Sequence, residues 1–123
     1  MPDRDAVLGR LREICLALPE TSERLSHGAP SFFIGGKRCF LMLLDNHHGD
    51  GRFAIWCAAP PGDQALLVDA DADKFFVPPY VGHRGWLGVR LDRELDWDEI
   101  RGIAEDAFCT VAPKRLAEQL ERG

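Results

Sequence analysis

No two of the four cysteines, Cys15, Cys39, Cys57 and Cys109, stand in C-x-x-C spacing, so no single turn offers two thiolates to one ion and a metal knuckle is excluded. Their wide spacing inside apolar periodic stretches reads as reduced core cysteine, not as a disulfide framework. No stretch approaches the roughly 18 consecutive apolar residues that a membrane span needs. The opening Met1-Pro2-Asp3-Arg4-Asp5 is charged, with no apolar segment behind it, so no secretory signal is expected and a cytoplasmic protein without membrane contact is. Positive charge is in short supply: 15 Lys and Arg stand against 20 Asp and Glu, a net charge of −5 that on average repels a polyanion. Internal repeats, linkers and low-complexity tracts are lacking.

Catalytic signatures are lacking too. Ser22, Ser26 and Ser31 have no G-x-S-x-G context, and Cys15 and Cys109 fall on apolar helix faces, so no nucleophile stands out. Gly35-Gly36-Lys37 shares three letters with a phosphate loop but lacks the earlier glycine and the following helix whose amides would face a phosphate. A base at His27 or His83 finds no partner residue in the sequence. The expectation is a non-enzymatic protein that needs no cofactor.

What is present is an ordinary globular composition, 46% hydrophobic and 28% charged over 123 residues, sized for one domain spanning residues 1–123. Residues 3–18 repeat Val7, Leu8, Leu11, Ile14, Cys15 and Leu18 at helical spacing behind Asp3 or Asp5 as cap, and Pro19 ends the run. Residues 31–34 and 37–44 are β-type runs around Gly35-Gly36, a pair suited to the positive φ angles of a two-residue hairpin turn. A third strand at 52–57 completes a meander. Residues 64–69 read as a short helix, 75–77 as a short strand and 86–91 as a further strand. Asp96 and Glu99 spell a capping box before the apolar face Ile100, Ile103, Ala104, Ala107, Phe108 and Val111, and Pro113 opens a last short helix. The fold class is α+β: a two-layer sandwich in which an antiparallel sheet of about four to five strands carries helices on one face.

Charge is unevenly spread. Residues 24–52 hold four basic residues (Arg24, Lys37, Arg38, Arg52) against Asp45 and Asp50, with three of the four histidines, whereas residues 92–106 hold seven acidic residues against two basic. Two glycine-punctuated loops attract attention. In Asp45-Asn46-His47-His48-Gly49-Asp50-Gly51-Arg52 the set Asp45, His47, His48 and Asp50 offers ligand types for a divalent metal, although neighbouring histidines on an extended strand point apart, and the same letters also suit a solvated hairpin loop. In residues 78–86, Tyr80, His83, Arg84 and Trp86 supply a stacking plane, a donor and a cation, a set suited to a phosphate, a carboxylate or a base, or to plain edge packing. Two functions follow. One is a nucleic-acid-binding module in which Lys37, Arg38, His47, His48, Arg52, His83, Arg84 and Arg90 meet phosphates while Tyr80 or Trp86 packs on a base or sugar. The other is a protein that binds a small anionic ligand or a divalent metal through residues 45–52 and 80–86.

A run of short motifs in fixed order carries a resemblance. They are Leu18-Pro19-Glu20, then SHGAPSFF, GGKRCF, a strand ending in Trp56-Cys57, PPYVGHRGWLGVRLD, DWDEI and VAPKRL. Together they resemble the MmcQ/YjbR family of small bacterial proteins over essentially the whole chain. The resemblance implies a compact α+β fold related to the frataxin-like (CyaY-like) topology. It also implies a DNA-binding role attached to a double-wing arrangement of hairpins. Separately, a monomer or homodimer is expected.

Overall fold

In a computed structural model describing residues 3–122, the chain forms four α-helices and six strands. Helix α1 (Arg4–Leu16) starts where the Asp3 carboxylate accepts from the amides of Asp5 and Ala6 at 2.9 and 3.4 Å, and it stops short of Pro19. Four consecutive antiparallel strands follow: β1 (Thr21–Ser26), β2 (Ala29–Ile34), β3 (Arg38–Asp45) and β4 (Phe53–Cys57). Helix α2 (Asp63–Ala70), the two-residue β5 (Phe75–Phe76) and β6 (Leu87–Arg90) come next, and α3 (Trp97–Val111) and α4 (Lys114–Arg122) close the chain. The sheet order is β1-β2-β3-β4-β6-β5, antiparallel at every pair.

The sheet is larger than the expected four to five strands because β1 is an additional edge strand. Its letters, Thr-Ser-Glu-Arg-Leu-Ser, are polar except for the exposed Leu25, and none of its residues is buried, so it carries no apolar alternation to betray it. Backbone pairing to β2 defines it instead, in register from Thr21 with Ile34 to Ser26 with Ala29. The Gly35-Gly36 turn forms as anticipated, with both φ angles positive (60° and 70°) and the Lys37 amide donating to the Ile34 carbonyl at 3.2 Å.

The sheet has two unlike faces. The rows Phe32, Leu41, Cys57, Leu87 and Leu43, Ile55, Val89, Phe75 are cross-strand neighbours and are buried on the side where α1 and α3 pack. One extra residue in β3, Phe40, opposes the step between Phe32 and Phe33. This bulge lets consecutive Phe40 and Leu41 both be fully buried, and the Phe40 ring meets Phe108 of α3 edge-on at 5.8 Å. The next row, on the other face, runs across all six strands as Arg24, Ser31, Met42, Trp56, Gly88 and Phe76. A strand alternates its side chains, so this second row faces away from α1 and α3.

At the start of α3 the Asp96 carboxylate accepts from the amides of Asp98 and Glu99 at 3.0 and 3.3 Å, which is half of the capping box. The other half is absent, because the Glu99 carboxylate pairs with Lys74 instead. No described helix is long and apolar enough to cross a membrane.

Candidate functional site

Over the sheet row of Met42 and Trp56 lies a cleft of about 1070 Å³, bordered on one side by Thr110 and Val111 at the end of α3. Its floor is built from the sheet: Cys39, Met42 and Leu44 of β3, Trp56 of β4, and Trp86 just before β6. Trp56 and Trp86 are deeply set, 3% and 6% exposed. Its rim comes from loops: Lys37 and Arg38 at the glycine hairpin, His27 between β1 and β2, His47 and His48 between β3 and β4, and Tyr80 and Arg84 before β6. Three cations, three histidines, two tryptophans and a tyrosine therefore converge, and no aspartate or glutamate among the described residues lines the cleft. An unopposed cluster of cations around a partly apolar hollow focuses positive potential there, in a molecule whose net charge is −5.

The loop at 45–52 splits its residues between two tasks. Asn46 and Asp50 serve turn geometry: Asn46 Oδ1 accepts from the Gly51 amide at 2.8 Å and Asp50 Oδ1 from the Arg52 amide at 2.9 Å. The histidines serve the cleft. His48 has φ 50°, in the left-handed region, so the chain is not extended there and the two imidazoles do not point apart. Their ring centroids lie 4.1 Å from each other, and His47 packs edge-on to Trp56 at 4.8 Å. Tyr80 approaches both histidines, at 6.2 and 6.3 Å. Two buried polar atoms in this group, His47 Nε2 and Trp56 Nε1, have no hydrogen-bond partner among the described residues.

Residues 78–86 are held down from α2. Gln64 Nε2 donates to the carbonyls of Gly82 and Trp86 at 2.8 and 2.6 Å, which fixes both ends of the turn carrying His83 and Arg84. Tyr80 sits at the centre of a three-residue turn in which the Val81 amide donates to the Pro79 carbonyl at 2.7 Å, with φ 67° at Tyr80. That is the rarer, strained form of a γ-turn. Of the five non-glycine residues with positive φ among the described residues (Glu20, His27, Asn46, His48 and Tyr80), His27, His48 and Tyr80 line the cleft. Strain of this kind concentrates where a side chain must be aimed.

Several candidate residues lie elsewhere. Arg52 stacks on the Phe76 ring at 4.0 Å and faces Asp50 at 4.0 Å, and Arg90 makes a two-pronged pair with Asp92, 2.9 Å at each prong. Both belong to packing and ion pairing, not to the rim of the cleft. His83 is exposed and outside it. The four-residue metal set does not assemble. Asp45 pairs with Arg4 at 2.6 Å beside a hollow of about 320 Å³ that adjoins the cleft and shares His27, Ala29, Leu44 and His47 with it, Asp50 braces the turn, and among the described residues no group of three or more His, Cys, Asp or Glu is placed to hold a metal ion. Conversely, the sequence did not mark Trp56, Cys39 or the positioning residue Gln64 as site residues, and His27 entered only as a base without a partner. Trp56 sits in a five-residue strand that is buried throughout, and such a run gives no sign of which face opens to a cleft.

A thiol nucleophile is disfavoured within the cleft, because burial pushes the Cys39 thiol up from its ordinary value. Buried Cys15 moves further in the same direction, and Cys57 is pushed up to about 12.

No curated protein matches the chain. Among solved structures, the crystal structure of a protein from Deinococcus radiodurans with a DUF419 domain is similar at a TM-score of 0.73 and 17% identity, with 93% of this chain and 87% of that chain covered. At that identity the likeness is one of fold. The family model YjbR matches residues 16–110, a span that runs from the end of α1 almost to the end of α3 and includes every residue of the cleft except Val111. The chain belongs to the YjbR family.

Proposed function

We propose that the chain is a non-enzymatic nucleic-acid-binding module that receives DNA in this cleft. The observation that carries this reading is the cleft itself: Lys37, Arg38 and Arg84 on the rim, aromatic rings below them, and no lining carboxylate among the described residues. Cations at a rim attract the phosphate backbone, and aromatic faces lower down offer stacking to a base.

The same geometry limits the affinity. With Arg52 and Arg90 engaged by carboxylates, about three rim cations are left to neutralise phosphates, which corresponds to a slope of about −2.7 in log K against log salt for a duplex. A fourfold rise in salt then weakens binding about fortyfold. Binding is weak, salt-sensitive and largely indifferent to sequence, because phosphate contacts carry no sequence information.

Titration of a labelled duplex across a salt series tests the proposal. Lys37→Glu combined with Arg38→Glu should bring the slope close to about −1 and cost at least about tenfold in affinity at low salt. No binding of wild type at low ionic strength, or equal binding by the double variant, would remove it.

A further inference from the structure

We infer that the cleft accommodates one unpaired nucleotide, with its base against the Tyr80 and His48 rings and its phosphate on the Arg38 and Arg84 side of the rim. This rests on the nucleic-acid reading above and narrows it to a nucleotide whose base is free of a partner strand.

Depth is the first reason. The cations are exposed at the rim, whereas Trp56 and Trp86 lie almost fully buried at the floor. A duplex keeps its bases stacked inside and offers a protein phosphates and base edges, so its backbone meets the rim while no ring face comes within reach of an aromatic side chain. An unpaired nucleotide presents its ring face, its edge and its phosphate together. The volume, about 1070 Å³, slightly exceeds the range of about 300–1,000 Å³ for small-molecule sites, ample for one nucleotide with its water.

The second reason is Tyr80. It is 70% exposed, yet it is held in a strained backbone conformation between the prolines Pro78-Pro79 and a turn tied at both ends by Gln64. An exposed ring fixed in advance loses little freedom when a base stacks on it.

The third reason is independent of both. Trp56 is 97% buried, being 3% exposed, and its Nε1–H has no acceptor among the described residues, while His47 Nε2 beside it is likewise without a partner. Buried polar groups are normally paired, and an unpaired one costs the free energy of its lost hydration. A base edge carries ring-nitrogen and carbonyl acceptors that suit the indole N–H, and His47 can donate or accept according to its tautomer. Access requires the His47 ring, packed edge-on to Trp56 at 4.8 Å, to turn aside with the loop that bears it.

The source of the nucleotide is either a residue of a single strand or a free mononucleotide, and one experiment separates them. Tryptophan fluorescence of the whole chain is titrated at low salt with oligothymidylate, with a blunt duplex and with thymidine monophosphate. Oligothymidylate should bind at least about tenfold more tightly than the duplex and quench the emission, as base stacking does. Tyr80→Ala should lower strand affinity about tenfold and close the gap to the duplex, while Tyr80→Phe, which keeps the ring, retains it. Trp56→Phe should weaken strand binding without loss of folding, checked by thermal unfolding. Binding of thymidine monophosphate with the same quenching assigns the site to the nucleotide unit alone; binding of the strand without it assigns the site to single-stranded nucleic acid. Equal affinity for strand and duplex, or a Tyr80→Ala variant that binds the strand like wild type, overturns this inference and leaves the salt-dependent duplex binding above intact. Absence of binding to all three probes overturns both.

Discussion

Asp92 shows how one side chain settles the meaning of another. Its carboxylate accepts both prongs of Arg90 at 2.9 Å and the Phe53 amide at 3.5 Å, and lies 3.5 Å from Arg93. The Arg90 hydrogen bonds hold its pKa below the ordinary carboxylate value, against the opposing effect of burial. A depressed folded pKa contributes stability that is complete above the unfolded value and is lost as pH falls through the folded one. Asp92→Asn is therefore expected to destabilise the neutral-pH protein by about 1.5–3 kcal/mol. It should also flatten the loss of stability below the ordinary carboxylate range, measured by denaturant unfolding at stepped acidic pH. The Arg90 partnership was legible only as opposite charges two residues apart, since β6 ends at Arg90 and Asp92 lies in the bend beyond it. The roles of His47 and His48 were not. Adjacent histidines point apart on a strand, and only the left-handed conformation of His48 folds both rings into one cluster.

Among the elements, the glycine hairpin, the meander and the capped helix α3 followed from local letters, because turn chemistry and periodicity act over a few residues. Edge strand β1 did not, since its polar residues owe their conformation to the backbone donors and acceptors of β2. Nor did the bulge at Phe40, which depends on the partner strand. Gly88 is a further hidden constraint. An added Cβ would lie 2.4 Å from the Phe76 ring, which is itself covered by Arg52 at 4.0 Å. Gly88→Ala should cost about 1–3 kcal/mol by forcing that stack apart, seen as a lowered denaturation midpoint. Arg52→Ala should relieve part of the cost in the double variant, and strict additivity would show that the stack does not transmit the strain.

At the scale of the molecule, four loops and the end of α3 border a cleft over one face of a six-stranded sheet. Strands β3 and β4 are interior and their rows are buried on the helix side, so their amides should exchange with solvent by the slowest, near-global opening, whereas β1 should exchange fast. Hydrogen exchange followed strand by strand checks this, and protection of β1 equal to that of β4 would contradict it. Composition and periodicity by themselves determined the α+β class, the helix positions, the meander and the presence of Lys37, Arg38, Tyr80, Arg84 and Trp86 as unusual letters, because each depends on neighbours within a few positions. The tertiary structure alone decided that those residues share a cleft with Trp56 and the two histidines, and that Arg52 and Arg90 are engaged elsewhere. Convergence of side chains from four separate loops is a property of sheet order and register, and neither is written in any one segment of the chain.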